Sequence, residues 1–182
     1  MGKKELRDRD VWQKKSGLMG KKAEDEFEAV FLAEFTGTEY VIRKEPKELK
    51  DIYSKNPKHG VSIDYAITNK KTKKTLYVEI KSQEGYVPGE TLPKDGRGNA
   101  HERSCKFFTP GLLKVMCKLS NLPVGTLPFW IVYQGRITRD AKRTREITYW
   151  FDEYGAHFFL WKSSSSTPLI NHFKKNLRHI LD

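Results

Sequence analysis

Cysteine is scarce in this chain: Cys105 and Cys117 are the two in 182 residues. Both fall in one stretch that reads as helical, and no Cys or His spacing matches a metal knuckle. Free thiols are therefore expected, rather than a disulfide or a zinc site. No run approaches about 18 apolar residues, which speaks against a transmembrane helix. The opening MGKKELRDRD has no apolar core of a secretory signal, and Leu6 occupies the place where a myristoylation signal needs Ser or Thr. A cytoplasmic protein without a membrane partner is the expectation. Internal repeats are also missing, and KSSSST at 162–167 is the single low-complexity piece.

Acidic residues are in deficit. The 34 Lys and Arg against 23 Asp and Glu leave a net charge of +11. Such an excess favours a polyanionic partner, most simply nucleic acid bound through its phosphates. Plain solubility is the competing explanation for the same charge. Hydrophobic residues at 37% and aromatics at 12% are enough for a folded core, and the length suits one domain over 1–182.

Residues 1–20 are Lys-rich, with Val11, Trp12, Leu18 and Met19 as apolar anchors, and read as a flexible basic arm. A helix is expected over 23–35, where Phe27, Val30 and Phe31 share a face, and Gly37 ends it. Strands are expected over 38–44, 61–68, 74–82, 127–135, 145–154 and 157–162, and helices over 46–55, 99–108, 109–120 and 168–182. Together these predict an α/β or α+β domain, a central mixed sheet flanked by helices. The Gly/Pro-rich stretch 83–98 is too long to be a simple connection and is expected to be functional.

The sharpest local signal is a hairpin. Residues facing each other across an antiparallel turn have a constant sum of residue numbers. The turn NKKTKK at 69–74 is centred between Lys71 and Thr72, which sets that sum at 143. Asp64 and Glu79 share it, so their Cβ atoms should lie about 5 Å apart. Alternation puts Ser62, Asp64 and Ala66 on one face with Tyr77, Glu79 and Lys81, and puts Ile63, Tyr65, Leu76, Val78 and Ile80 on the apolar one. Two facing carboxylates repel unless something positive lies between them. Lys81 partly serves. A Mg²⁺ ion serves better, because it takes hard carboxylate oxygens and completes its shell with water and phosphate. In that reading Asp64 and Glu79 are metal ligands, and Lys81 orients a water or offsets charge developing at a phosphate. The bland alternative is a solvated charged face, in which such an ion pair stabilises by less than about 1 kcal/mol.

An acid on one strand followed by Glu-x-Lys on the next resembles the core of the PD-(D/E)xK nucleases. Ile63-Asp64 replaces the family's Pro-Asp, and the missing Pro is not a ligand. GRGNAHERSCK at 96–106, FTPGLLK at 108–114 and the stretch 127–154 resemble more specifically the EcoRI-like and MunI-like type II restriction endonucleases. The resemblance runs from WQKKSGL and AEDEFEAVF near the N-terminus to the last helix. It implies a prokaryotic, homodimeric, Mg²⁺-dependent endonuclease acting on a palindrome in double-stranded DNA. It implies that 83–98 is a DNA-recognition loop, and that Gly98, Asn99, Ala100, Glu102 and Arg103 belong to the element that reads an inner AATT. Arg97 then reads the outer pair, giving C^AATTG with a 5′ overhang; GAATTC is the other possibility. The base chemistry agrees, since Asn pairs with an adenine edge, Ala meets a thymine methyl and Arg donates to guanine. A binding protein with a dead site, or a repair nuclease or resolvase of the same fold, would share these features.

His101 is a further candidate for DNA contact. Arg136, Arg139, Lys142, Arg143 and Arg145 are expected to form a phosphate-binding or dimer-buttressing surface, or else plain solvated charge. Glu24 is a candidate extra acid near the metal, though a charge in the first turns of a helix is explained equally by the helix dipole. His59, His157, His172 and His179 show no ligand spacing.

Overall fold

The computed structural model describes residues 3–91, 100–162 and 165–182. In chain order the elements are α1 (Lys3–Phe35), β1 (Tyr40–Lys44), β2 (Ser54–Lys55), β3 (Lys58–His59), β4 (Tyr65–Asn69), β5 (Thr75–Ser82), α2 (Ala100–Ser104), α3 (Pro110–Leu119), β6 (Phe129–Gln134), α4 (Ala141–Trp150), β7 (Phe158–Trp161), α5 (Ser166–Asn176) and α6 (Arg178–Leu181). One five-stranded sheet has the order β1-β4-β5-β6-β7, and β2 pairs with β3 in a separate small hairpin. β1, β4 and β5 are antiparallel neighbours, while β5, β6 and β7 run parallel. The expected mixed sheet flanked by helices is the architecture observed.

The β4–β5 register is the expected one: Tyr65 lies opposite Val78, Ala66 opposite Tyr77 and Ile67 opposite Leu76. The turn holds this register locally. Asn69 Oδ1 accepts the Lys71 N–H at 2.9 Å, the Asx pattern that favours Asn at such corners. What differs is the start of the strand. β4 begins only at Tyr65, so 61–64 lie ahead of the ladder, and Val61 and Ile63 pack with Ala66 and Tyr77 rather than with Tyr65.

Both faces of the sheet are covered. On one, Ala23, Phe27, Phe31 and Phe35 of α1 recur at helical spacing against Tyr65, Val78, Trp130 and Phe173. Phe27 is wholly buried, which stabilises the fold by roughly 1.5–3 kcal/mol. On the other face Tyr77, Ile131 and Tyr133 meet Phe107, Met116, Ile147 and Phe151. The face expected to be wet is thus a second core along most of its length, as strands with neighbours on both sides and helices on both faces require.

Three expectations are corrected. Residues 145–154 are not a strand: α4 covers Ala141–Trp150. Asp140 caps it, its side chain accepting from Lys142 N and Arg143 N at 3.1 Å each, and Ile147 and Phe151, one turn apart, are both buried. Cap and packing override the strand propensity of Ile-Thr-Tyr-Trp. The helix expected over 46–55 is reduced to a single turn at Lys47–Leu49. The chain folds back so closely that a Cβ on Gly60 would lie 2.1 Å from Leu49 O. Finally, the stretch expected as an arm over 1–20 is helical from Lys3 and continuous with 23–35. Gly17 and Gly20 cost only about 1 kcal/mol each inside a helix, and no proline interrupts the run.

Candidate active site

Strand β5 lies between β4 and β6 and carries Glu79 and Lys81 on the same side. The Lys81 ammonium donates to Glu79 Oε1 in a tight ion pair. Glu79 is 5% exposed, and its second oxygen, Oε2, is buried without a hydrogen-bond partner. Asp64 arrives from the residue just before β4, and its Oδ2 accepts the Ile80 N–H at 2.6 Å. The structure therefore brings Asp64, Glu79 and Lys81 together, as the hairpin register requires.

The electrostatics show a shortage of positive charge. Burial raises the Asp64 carboxyl above its ordinary range, while Lys81, the Ile80 N–H, Lys106 and Lys44 pull it back. Burial also raises Glu79, with Asp64 pushing the same way and Lys81 and Lys106 opposing. The opposing cations do not cancel the cost of burial in either group. A bound cation would relieve both carboxylates at once.

The residues fit such an ion. Asp64 and Glu79 suit Mg²⁺, which keeps several waters and binds through one or two carboxylates plus a substrate phosphate. The unpartnered Glu79 Oε2 is the atom such an ion would satisfy.

Two cations near this site do not emerge from the strand pattern. Lys106, in the turn Cys105–Phe108 after α2, acts on both Asp64 and Glu79. Its place three residues beyond Arg103 in 96–106 was the available signal. Lys44 lies 3.6 Å from Glu24 and 3.2 Å from Asp25. Glu24 does face this region: burial raises its carboxyl, Asp64 raises it further, and Lys44 draws it down.

Of the residues expected to read bases, Arg97, Gly98 and Asn99 lie outside the described residues, and Ala100 opens α2. Glu102 and Arg103 are exposed on that helix. His101, a candidate for DNA contact from its place beside these residues, is 0% exposed. Its ring stacks on Trp150 with centroids 5.4 Å apart, and its Nε2 lies 3.5 Å from both Arg143 Nη1 and Glu146 Oε2. Burial lowers its pKa, so the ring is held neutral.

The basic 136–145 stretch is also more constrained than its charge suggests. Arg136 and Arg139 both pair with Glu90, at 2.8 and 2.6 Å, and Arg143 pairs with Glu146 at 2.7 Å. Lys142 and Arg145 are exposed on α4. His157 and His172 serve the core, donating to Phe129 O and Ala156 O at 2.8 Å each.

A family model described as type II restriction enzyme MunI matches residues 1–182. Type II restriction enzyme MunI from Mycoplasma sp is 45% identical over 203 residues, and the alignment covers 100% of each chain. A crystal structure of MunI restriction endonuclease in complex with cognate DNA is similar with a TM-score of 0.78 and 43% identity, covering 94% of this chain and 97% of that one.

Proposed function

The chain belongs to the MunI family of type II restriction enzymes, and from that premise we propose that it hydrolyses double-stranded DNA at the palindrome C^AATTG, as a Mg²⁺-dependent homodimer. The observation that carries the chemistry is the pairing of a half-buried carboxylate, Asp64, with a buried one, Glu79, whose second oxygen is left unpartnered beside Lys81.

Asp64 and Glu79 would hold the ion. When bound, Mg²⁺ polarises the phosphate and makes a coordinated water more acidic. The protein's own groups do the rest. Asp64 is fixed through the Ile80 N–H, which ties its carboxylate to β5. Lys81 keeps a positive charge within hydrogen-bond reach of Glu79, where it orients a water or offsets negative charge building on the phosphate. Lys106 adds a second positive charge acting on both carboxylates. The buried surroundings of Glu79 strengthen each of these interactions.

Sequence reading is assigned to the recognition loop 83–98 and the start of α2. Arg97 takes the outer guanine, and Gly98, Asn99, Ala100 and Arg103 belong to the element that takes the inner AATT. Each bidentate contact is worth about 1–3 kcal/mol of discrimination. His101 has no base contact in this assignment, because it is enclosed by α4. A palindrome is read by a two-fold dimer, one half-site per subunit.

The test is incubation of linear duplex DNA with the protein and Mg²⁺, followed by sequencing of the ends. Cuts within CAATTG that leave a four-base 5′ overhang are expected, and none with Asp64→Ala. Cuts at GAATTC would overturn the outer-pair assignment. Tight binding to the palindrome without cleavage in Mg²⁺ or Mn²⁺ would overturn the enzymatic one.

A further inference from the structure

The chain on either side of 92–99 is fastened to one short region, 136–150. Leaving β5, Gln83 O accepts the Ile137 N–H at 3.1 Å. Gly85 then passes so close to the backbone there that a Cβ would lie 2.8 Å from Arg136 O and Ile137 Cα. Such a position admits only glycine without backbone movement. Tyr86 N donates to Asp140 Oδ2 at 2.7 Å, and Asp140 is also the cap of α4. Arg136 donates to Thr91 O at 3.1 Å and pairs with Glu90 at 2.8 Å, and Arg139 pairs with Glu90 at 2.6 Å. On the far side of 92–99, His101 is held by Arg143, Glu146 and Trp150, all on α4.

We infer that Arg136 and Arg139 are positioning residues for sequence discrimination: through Glu90 they hold the approach to the base-reading segment on the same platform that holds His101 within it. The inference rests on the assignment of Arg97–Arg103 as base readers. It departs from the simplest use of a basic stretch, which is phosphate neutralisation. Both guanidinium groups already have a carboxylate partner, and the Arg136 Nη2 that meets Glu90 also holds the backbone at Thr91. A misplacement near 1 Å costs up to about 100-fold in rate when the displaced group must meet its target precisely enough to react or recognise. Fastening the chain before that segment and within it to one region, 136–150, limits such displacement. β5, which carries Glu79 and Lys81, runs directly into the fastened stretch, so the cutting and reading residues share one support.

The two roles separate by the sign of their effects. Glu90→Gln breaks its ion pairs with little change in shape, and Arg139→Gln removes the guanidinium with a shorter, neutral side chain. In a positioning role both variants move in the same direction. Discrimination, the ratio of kcat/KM on the cognate palindrome to that on one with a single altered AATT base pair, falls by about 10- to 100-fold. The double variant is then no worse than Glu90→Gln alone, because that change already breaks the Arg139 pair along with the Arg136 one. Glu90→Asp, which keeps the charge, recovers part of the ratio. Melting temperatures by circular dichroism identify any general loss of folding. In a phosphate-binding role the variants move oppositely: Glu90→Gln tightens nonspecific duplex binding, and Arg139→Gln weakens it with a salt slope lowered by about 1. That result, or unchanged discrimination in Glu90→Gln, overturns the inference. Asn99→Ala tests the base-reading assignment separately: unchanged discrimination there removes that assignment, while Glu90→Gln alone decides the positioning role.

Discussion

Replacing Glu79 by Gln should abolish cleavage and yet make the metal-free protein more stable at pH 8. Glu79 is buried, has one oxygen without a hydrogen-bond partner, and faces Asp64, so its negative charge is costly to bury. Leaving a buried polar atom unpaired costs about 1–3 kcal/mol, and more for a charged one. Lys81 offsets part of this at the other oxygen; a Gln carbonyl would still accept from it, and the Gln amide nitrogen in the place of Oε2 stays unpaired but carries no charge. A net gain of about 1–2 kcal/mol follows for the neutral side chain, and each kcal/mol moves the melting temperature by about 2–4 °C at this chain length. The gain must depend on pH. Glu79 and Asp64 have folded-state pKa values raised above the ordinary 4.5 and 3.8. The folded state therefore holds protons that the unfolded chain has already lost, so stability is highest below the ordinary carboxylate range and falls as pH rises through the raised values. Wild type and Glu79→Gln should converge near pH 4 and separate above it.

Scanning calorimetry in EDTA from pH 4 to 8, repeated with Mg²⁺, measures both effects. An ion that binds only the folded state stabilises it by about 2.7 kcal/mol at 100 times its dissociation constant. The effect should grow with pH, because the ligands must be deprotonated. Wild type should gain this and Glu79→Gln should lose most of it. Two results would refute the reasoning: a lower melting temperature for Glu79→Gln at pH 8 in EDTA, or equal stabilisation of both proteins by Mg²⁺.

Lys106→Gln removes a positive charge that lowers both Asp64 and Glu79. The acid limb of the pH–rate profile should therefore move to higher pH, with a larger loss of kcat/KM below the limb than above it; an unmoved limb would show that the charge does not act there. Burial lowers the pKa values of His157 and His172 from 6.5, so the folded state keeps them neutral where the unfolded chain takes up protons. Stability should fall as pH drops below about 6.5, and substituting Gln for His172 in urea titrations at pH 5.5 and 7.5 should shrink the difference between those two pH values.

The candidate site was legible because it rests on a local feature. A polar turn centred on Lys71 and Thr72, with alternation on both arms, sets one register, and a one-residue shift would carry Leu76, Val78 and Ile80 to the opposite face of the sheet. What was not legible depends on distant partners. The stretch 145–154 carries strand-forming residues, and only Asp140 and the burial of Ile147 and Phe151 make it helical. His101 reads as polar beside Arg103, and nothing in its neighbours announces Trp150 beneath it. Lys106 lies outside the strand pattern and meets the carboxylates only through the fold. The charge of 136–145 suggested a phosphate surface, whereas Glu84 and Glu90, far earlier in the chain, lie against its arginines.

The same register explains why the site forms where it does. Pairing between β4 and β5 stops at Tyr65 and Val78. One residue further along, Asp64 and Glu79 would be the next pair, and here a side chain takes over from the backbone: Asp64 Oδ2 accepts the Ile80 N–H. Asp64 thus has two separable duties. Accepting that hydrogen bond needs only an oxygen, which Asn retains. Sharing a cation with Glu79 needs negative charge, which Asn lacks. The fold can therefore keep its geometry at this corner after the chemistry has been removed. That separation follows from placing the acid at the first position beyond the ladder, where the backbone no longer supplies the acceptor.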